Sequence, residues 1–221
     1  MINHSNHKLS FLIACMVLCL AACHSVVQVQ NKALYDNVPQ VADTSLGDFK
    51  ASAIFKDDYD KSVWVSPEVQ CVQMQTEKLQ IKEGAASLKI NWDKIKGNCK
   101  WIGVGFGWNN WMAKDILEIA DAAAVSLSVK SQSGSFKNLP VAFAFEDYSG
   151  VQCYYGFRQE MAPNGFNDST WTSIIIPFEK FNFKARDFDL EKVKQFIIQL
   201  EGDGAVYIDD IKIINFPRKN D

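Results

Sequence analysis

The sequence predicts an all-β protein built as a two-sheet antiparallel β-sandwich of the jelly-roll type. Apolar and polar residues alternate with period two through most of the chain, and long helical faces are scarce. Turn residues separate the short segments that show this alternation. Many short strands with turns between them are typical of β-sandwiches.

The N-terminus precedes this body and has the features of an export signal over residues 1–22. Lys8 supplies a positive charge, and an apolar run from Phe11 to Leu20 follows that is too short to span a bilayer. The segment Leu20-Ala-Ala-Cys23 resembles the bacterial lipobox, which implies lipidation of Cys23 and a lipid anchor in the cell envelope. A plain secretory signal is the alternative.

The predicted organisation continues with the lipidated cysteine and a tether over residues 23–33, a folded domain over 34–216 and a tail over 217–221. The residue after Cys23 is His24 rather than an aspartate. By resemblance to lipoprotein sorting signals, this favours the outer membrane.

Five strands stand out within the body, each with one apolar face. They cover residues 87–92, 124–130, 141–146, 195–201 and 206–213. Between the last two, Gly202, Asp203 and Gly204 predict a tight hairpin turn, because Asp-Gly accepts the positive φ angles that such a turn requires.

Composition excludes several functions. The net charge of -3 does not suit nucleic-acid binding, which needs a dense basic surface. The three histidines all lie within the first 24 residues, so the folded domain lacks the imidazole that Ser-His-Asp hydrolysis and His-ligated metals require. The cysteines outside the N-terminal segment are Cys71, Cys99 and Cys153. They fit either three buried thiols or a Cys71–Cys99 disulfide with one free thiol.

The polar faces of two predicted strands carry unusual residues for a solvent-exposed sheet. Glu146 follows two alanines, and Gln199 and Glu201 continue the polar face of the next strand. Small residues leave space for a ligand, and amides and carboxylates bind hydroxyl groups. An ordinary solvated face is the alternative.

The stretch from Trp101 to Trp111 alternates glycines with apolar residues. No helix pattern follows the glycines, which argues against a dinucleotide-binding loop and favours a strand that another group approaches closely. Trp108 and Trp111 at its end are candidate platforms for the apolar face of a sugar ring, or else they close the core.

A second cluster contains Tyr148, Tyr154 and Arg158. Exposed, Tyr154 can stack on a sugar and Arg158 can donate to vicinal hydroxyls or a uronate. Arg158 can equally pair with Glu146 across the predicted hairpin. Glycoside hydrolysis would require Glu146 and Glu201 to converge in a cleft.

Several segments together resemble the galactose-binding-like jelly-roll superfamily, and within it the family 11 carbohydrate-binding modules and the complex I intermediate-associated protein 30 domain. The segments are Gly84–Ile90, the Gly/Trp strand, Trp171–Phe181, Leu190–Ile197 and Tyr207–Ile211. The resemblance implies a concave sheet that binds glucan-type chains and a structural calcium ion. Its ligands would be Asp209 or Asp210 in the last strand, with Asp36 as a looser match.

These observations predict a non-catalytic, lipid-anchored envelope protein that binds a polysaccharide or oligosaccharide. The alternative is an interaction module that grips an envelope protein with the same concave face.

Overall fold

The computed structural model describes residues 53–55, 57, 62–108 and 111–216. Within these residues, the segments with period-two alternation lie among thirteen β-strands. The strands are β1 Ala53–Phe55, β2 Val63–Val65, β3 Val72–Glu77, β4 Ser87–Asp93, β5 Gly103–Gly107, β6 Ala123–Ser131, β7 Ser135–Phe136, β8 Val141–Asp147, β9 Gln152–Gly156, β10 Phe166–Asn167, β11 Thr172–Pro177, β12 Val193–Leu200 and β13 Asp203–Asn215. Short 3-10 helices cover Leu117–Ile119, Gln159–Met161, Phe178–Phe181 and Phe183–Arg186. The all-β prediction is confirmed.

The predicted export signal, Cys23, the tether, Asp36 and the tail over 217–221 lie outside the described residues. Among the residues that are described, no helix has the length and apolar character needed to cross a membrane.

Two antiparallel sheets form the sandwich. One follows the order β11-β6-β13-β4-β3, with β1 also paired to β13, and the other follows β2-β5-β12-β8-β9. Strands β7 and β10 form a separate two-stranded pair. Because the neighbours in each sheet are mostly distant in the sequence, the sheets depend on long-range pairing.

Each sheet turns its apolar residues toward the other sheet. Leu88, Ile90 and Val125 from one sheet and Phe143 and Phe196 from the other are fully buried. Rings fill much of the space, and the Phe145 ring contacts four further phenylalanines of the core. Edge-to-face and stacked ring contacts of this kind stabilise a core beyond their buried area.

The turn at Gly202 connects the two sheets. β12 belongs to the five-stranded sheet, whereas β13 pairs with β4 and β6 in the other. The predicted hairpin between these strands is therefore wrong, although Gly202 does have a positive φ of 54°. The residue types that form a tight turn in a hairpin also form the turn at which a chain crosses from one sheet to the other.

Cys71 and Cys99 form a disulfide, and Cys153 is a buried free thiol. The interpretation as three free thiols is wrong, and the open alternative of one disulfide is correct. Burial raises the pKa of the Cys153 thiol to about 11. This thiol is therefore protonated and unreactive at neutral pH.

Candidate ligand-binding face

The outer face of the five-stranded sheet differs from an ordinary solvated surface. Alternate residues of its strands point away from the core, and apart from one glutamate and one isoleucine this outward set is small, amide-bearing or aromatic. We call it the tryptophan face. It comprises Trp64, Gly103, Gly105, Gly107, Ala142, Ala144, Glu146, Gln152, Tyr154, Gly156, Gln195, Ile197 and Gln199.

Strand register places these residues in rows that cross the sheet. The central row joins five strands and runs Trp64, Gly105, Ile197, Ala144, Tyr154. An aromatic residue therefore stands at each end of a row whose middle is small or apolar. The row on one side is Gly107, Gln195, Glu146, Gln152, and the row on the other is Gly103, Gln199, Ala142, Gly156.

The glycines of β5 allow indole rings to lie flat on the sheet. A Cβ atom on Gly105 would lie 2.1 Å from Trp64 Nε1, one on Gly103 would lie 2.7 Å from the Trp101 ring, and one on Gly107 would lie 2.5 Å from the Trp111 ring. Any larger residue at these positions would collide with a tryptophan. The close approach expected at this strand is made by the protein's own indoles.

Two glutamines of β12 fix two of these indoles. Trp64 Nε1 donates to Gln195 Oε1 at 2.7 Å, and Trp101 Nε1 donates to Gln199 Oε1 at 3.1 Å. The two rings stack on each other, with centroids 5.9 Å apart and planes at 28°. Trp101 is still 36% exposed. The result is an indole surface that is held in place and open to solvent.

Tyr154 lies on β9, the edge strand opposite β2, and is 40% exposed. Its hydroxyl donates to Gln152 Oε1. Burial raises the pKa of Tyr154 and the Glu146 carboxylate adds to this effect, while the Trp101 indole N–H acts in the opposite direction. The phenol is therefore a neutral donor and acceptor at physiological pH.

The carboxylates of the face are each paired with a lysine. Glu146 is only 8% exposed, and its Oε1 lies 2.5 Å from Lys194 Nζ. Its other oxygen accepts a hydrogen bond from Gln152 Nε2. A largely buried carboxylate needs such partners, because an unpaired charge would be strongly destabilising.

Glu201 follows β12 and pairs with Lys94 at 2.6 Å. Gln199 Nε2 donates to its second oxygen at 2.6 Å. Burial acts to raise the pKa of Glu201, but the hydrogen bonds from Lys94 and Gln199 outweigh it and hold the pKa below its ordinary value. Glu201 is therefore ionised at neutral pH and anchors Gln199 beneath Trp101.

The structure does not bring the two glutamates together as a hydrolytic pair. Glu146 lies opposite Gln195, and Glu201 lies six residues further along the chain. At about 3.3 Å per residue, the backbones at these two positions are separated by roughly 20 Å along the strand. Hydrolysis by a carboxylate pair requires a separation of at most about 9.5 Å.

Trp108 does not lie on this face. It is 1% exposed and stacks on Phe145 in the core, with ring centroids 5.8 Å apart. The prediction that Trp108 offers an exposed platform is wrong, because Trp108 continues the inward side of β5 after Val104 and Phe106. The alternative that it closes the core is correct.

Trp111 and Tyr148 lie together at the end of the row that contains Gly107. Trp111 is partly exposed and has a positive φ of 68°. Tyr148 is 36% exposed, and its hydroxyl donates to the backbone oxygen of Trp111. Both predicted residues are therefore accessible at one edge of the tryptophan face.

Arg158 is exposed just beyond β9. Its backbone is extended and the preceding Phe157 packs on the core ring of Phe166, so Arg158 continues the outward side of the strand. The alternative pairing with Glu146 is not formed, since Lys194 occupies that carboxylate. The guanidinium makes no ion pair within the described residues.

Asp209 and Asp210, the predicted calcium ligands that the structure describes, are both bonded to other groups of the protein. Asp209 is fully buried, and its Oδ2 accepts hydrogen bonds from the backbone N–H groups of Lys82 and Glu83 at 2.7 and 3.2 Å. Its Oδ1 accepts from the backbone of Asp210 at 2.7 Å. Burial raises the pKa of Asp209, although these amides act to lower it.

Asp210 faces the other way and pairs with Lys212 at 2.8 Å. Backbone amides thus satisfy the hydrogen-bonding capacity of Asp209, and a lysine pairs with the charge of Asp210. Across the part of the chain that the structure describes, no group of three or more His, Cys, Asp or Glu side chains is arranged to hold a metal. Asp36 lies outside this part, so calcium stays a prediction.

Trp64 and Trp101 are the residues that the sequence analysis missed as ligand-binding candidates. Trp64 stands between two valines in a strand of only three residues, too short for alternation to stand out. The available signal was the run of alternating glycines in β5. Three glycines on one side of a strand leave space that large side chains can fill, and tryptophan has the largest side chain.

The sequence from residue 51 to 215 matches the family described as carbohydrate binding domain 30. The chain belongs to this family. The resemblance to β-sandwich carbohydrate-binding modules is thereby confirmed. No curated protein matches the sequence.

Solved structures share the fold at low sequence identity. The family 30 carbohydrate-binding module of a cellulosomal cellulase of Clostridium thermocellum superposes with a TM-score of 0.59 at 14% identity, covering 74% of this chain and 96% of the module. An exo-beta-agarase gives 0.54 at 11% identity, over 76% of this chain and 25% of the agarase. A beta-1,2-glucanase from Parabacteroides distasonis gives 0.52 at 14% identity, over 77% and 25%.

Proposed function

We propose that this protein binds a polysaccharide chain along its tryptophan face and does not cleave it. The observation that carries the proposal is the stacked pair Trp64 and Trp101, held by Gln195 and Gln199 and open to solvent. Membership of a carbohydrate-binding domain family supports the same ligand class.

The pair supplies a preorganised stacking surface. The C–H groups of a sugar ring are attracted to the electron-rich face of an indole. Because the glutamines and the β5 glycines already fix both rings, binding costs little side-chain entropy. A flexible surface tryptophan would lose part of its stacking energy to this ordering.

The rest of the face gives direction to the ligand. Ala142 is small and partly exposed on the same face as Tyr154, and the amides and the phenol offer both donors and acceptors to hydroxyl groups. The two carboxylates are already neutralised by Lys94 and Lys194. This arrangement favours a neutral, hydroxyl-rich chain.

Affinity electrophoresis through gels that contain hydroxyethylcellulose, xyloglucan, mixed-linked β-glucan, xylan or agarose tests the proposal. We expect at least one polysaccharide to retard the protein without release of reducing ends. Trp101→Ala should abolish most of the retardation. Tyr207→Ala, which removes a partly exposed ring from the outer side of the opposite sheet, should leave it unchanged.

Two results would contradict the proposal. One is the absence of retardation by every polysaccharide. The other is equal retardation of the wild-type protein and Trp101→Ala. If no glycan binds and one envelope protein is recovered in stoichiometric amount with the chain, the face serves protein interaction instead.

We further propose that Cys23 carries a lipid anchor that holds the domain at the bacterial envelope, at the outer membrane. The disulfide between Cys71 and Cys99 supports an exported protein, because such bonds persist in oxidising compartments. Labelled palmitate should be incorporated into the wild-type chain and not into Cys23→Ser, and Cys23→Ser should leave the membrane fraction. Equal labelling of both proteins would refute the anchor.

A further inference from the structure

A cavity of about 450 Å³ opens at one end of the sandwich, away from the rows of the tryptophan face. It lies where β6 and β12 end and where β8 and β13 begin. Its walls include Trp92, Phe136, Pro140, Asn138, Ser133 and Asp203. Its volume lies within the range of small-molecule sites, roughly 300 to 1,000 Å³.

Local backbone geometry builds this cavity. The Gly202 turn carries the chain from one sheet to the other. The turn lies beside the loop that precedes β8, where the Glu201 N–H donates to the backbone oxygen of Pro140 at 2.8 Å. A Cβ atom on Gly204 would lie 2.3 Å from the Trp92 ring, so glycine lets the indole cover the strand. Trp92 Nε1 donates to the backbone oxygen of Glu201 at 2.8 Å, which fixes the ring as part of the wall.

Two side chains in the wall keep their hydrogen-bonding capacity available. Asp203 and Asn138 are exposed, and neither side chain makes a hydrogen bond or an ion pair within the described residues. Asp203 offers acceptors, and Asn138 offers both a donor and an acceptor. They contrast with the glutamates and glutamines of the tryptophan face, which already bind one another or lysines.

The chemistry of the walls selects the class of ligand. A free carboxylate disfavours an anion. A single carboxylate is too few for a metal ion, and no metal-holding cluster occurs among the described residues. Ring and proline surfaces opposite an amide and a carboxylate match a molecule with an apolar face and vicinal hydroxyl groups.

We propose that this cavity is a second saccharide-binding site that takes one or two neutral sugar rings, such as a chain end or a free sugar. It differs from the tryptophan face, where an open surface suits the interior of a long chain. The inference stands on Asp203, Asn138 and the cavity itself. It can hold whether or not the tryptophan face binds polysaccharide.

Titration of the purified full-length chain with D-glucose, D-galactose, D-xylose and cellobiose tests the proposal, with backbone amide chemical shifts as the readout. We expect at least one of these sugars to shift the Gly202 and Gly204 amides saturably. Asp203→Ala and Asn138→Ala should each weaken this binding by about tenfold. Asp203→Asn keeps the shape of the side chain and removes its charge, so it tests the role of the carboxylate in a variant that is expected to fold like the wild-type protein.

Trp101→Ala distinguishes this site from the tryptophan face. It should abolish retardation by polysaccharide and leave the sugar-induced shifts of Gly202 and Gly204 unchanged. The proposal is overturned if none of the four sugars shifts these amides saturably, or if Trp101→Ala abolishes the shifts. A failure of the polysaccharide gels alone would overturn the function of the tryptophan face and not this site.

Discussion

At the residue scale, Gly105 determines where the Trp64 indole lies on the tryptophan face. Its missing side chain leaves the space that Trp64 occupies, and Trp64 then reaches Gln195. The glycine binds no ligand in this account, yet the position of the indole depends on it.

Gly105→Ala should therefore displace Trp64, lower polysaccharide affinity severalfold and cost about 1–3 kcal/mol of stability, as overpacking does. Gly156→Ala is the matched control for stability, because a Cβ atom there would meet nothing within 4 Å, and Tyr207→Ala on the opposite sheet is the control for affinity. Calorimetric titration and urea unfolding measure both quantities. Unchanged affinity in Gly105→Ala would show that the position of Trp64 is unimportant for binding.

Lys114 is a buried amine next to β12, where its backbone pairs with Val193. Burial lowers its pKa from 10.5 to about 8, and Asp115 opposes this only in part. Between these two values the unfolded chain binds more protons than the folded chain, so stability rises with pH across this window. Below about pH 8 the buried Lys114 amine is charged, and its desolvation lowers the stability of the folded protein by the full amount.

Lys114→Met should remove this dependence. Between pH 7.5 and 10, the free energy of unfolding of the wild-type protein should rise by on the order of 2 kcal/mol relative to that of Lys114→Met. Urea unfolding of both proteins at several pH values measures the difference. Parallel pH profiles would contradict the lowered pKa.

Sequence reasoning at this scale succeeded where alternation was long and failed where it was short. The buried faces of β4, β6 and β8 follow directly from period-two patterns of seven or more residues. Alternation in and around β5 also separates the two tryptophans, since Trp101 falls on the side of the glycines and Trp108 falls on the buried side of Val104 and Phe106.

The disulfide matters at the scale of an element. Cys99 lies two residues before Trp101, and its bond to Cys71 holds the start of β5 against the segment that leads into β3. The closed segment has a sequence separation of 28 residues. Cross-linking a loop of this size removes unfolded-state entropy worth about 3–4 kcal/mol.

Reduction of the wild-type protein should therefore lower its stability by about 3 kcal/mol, to the level of the Cys71→Ser/Cys99→Ser variant. The same reductant should leave that variant unaffected, which makes it the control. Glycan affinity should fall in the reduced protein, because Trp101 loses its nearby anchor. Identical urea midpoints with and without reductant would contradict this role.

The turn at Gly202 shows what element-level patterns leave open. Its residues were recognised correctly as a turn, but the chain passes to the other sheet instead of forming a hairpin. Local turn chemistry is the same in both cases. The choice is made by pairing of β13 with β4 and β6, which are far away in the sequence.

On the scale of the whole molecule, the sandwich presents one face suited to a chain and one end cavity suited to a sugar unit. The fold class and the glycan-binding function were predictable, since strand patterns and several family-typical segments were visible in the sequence. The positions of Trp64 and Trp101 over the glycines were not predictable, and neither was the presence of Asp203 and Asn138 in the wall of one cavity. These depend on which strands become neighbours.

Binding of polysaccharide by the two indoles is tested by the calorimetric affinity of Trp64→Ala/Trp101→Ala for the polysaccharide that retards the wild-type protein most. With both indoles gone, affinity should fall by about 30-fold or more, and Tyr207→Ala should bind like the wild-type protein. Thermal unfolding of the double variant verifies that it is folded. A folded double variant that binds as tightly as the wild-type protein would show that the polysaccharide does not bind on the tryptophan face.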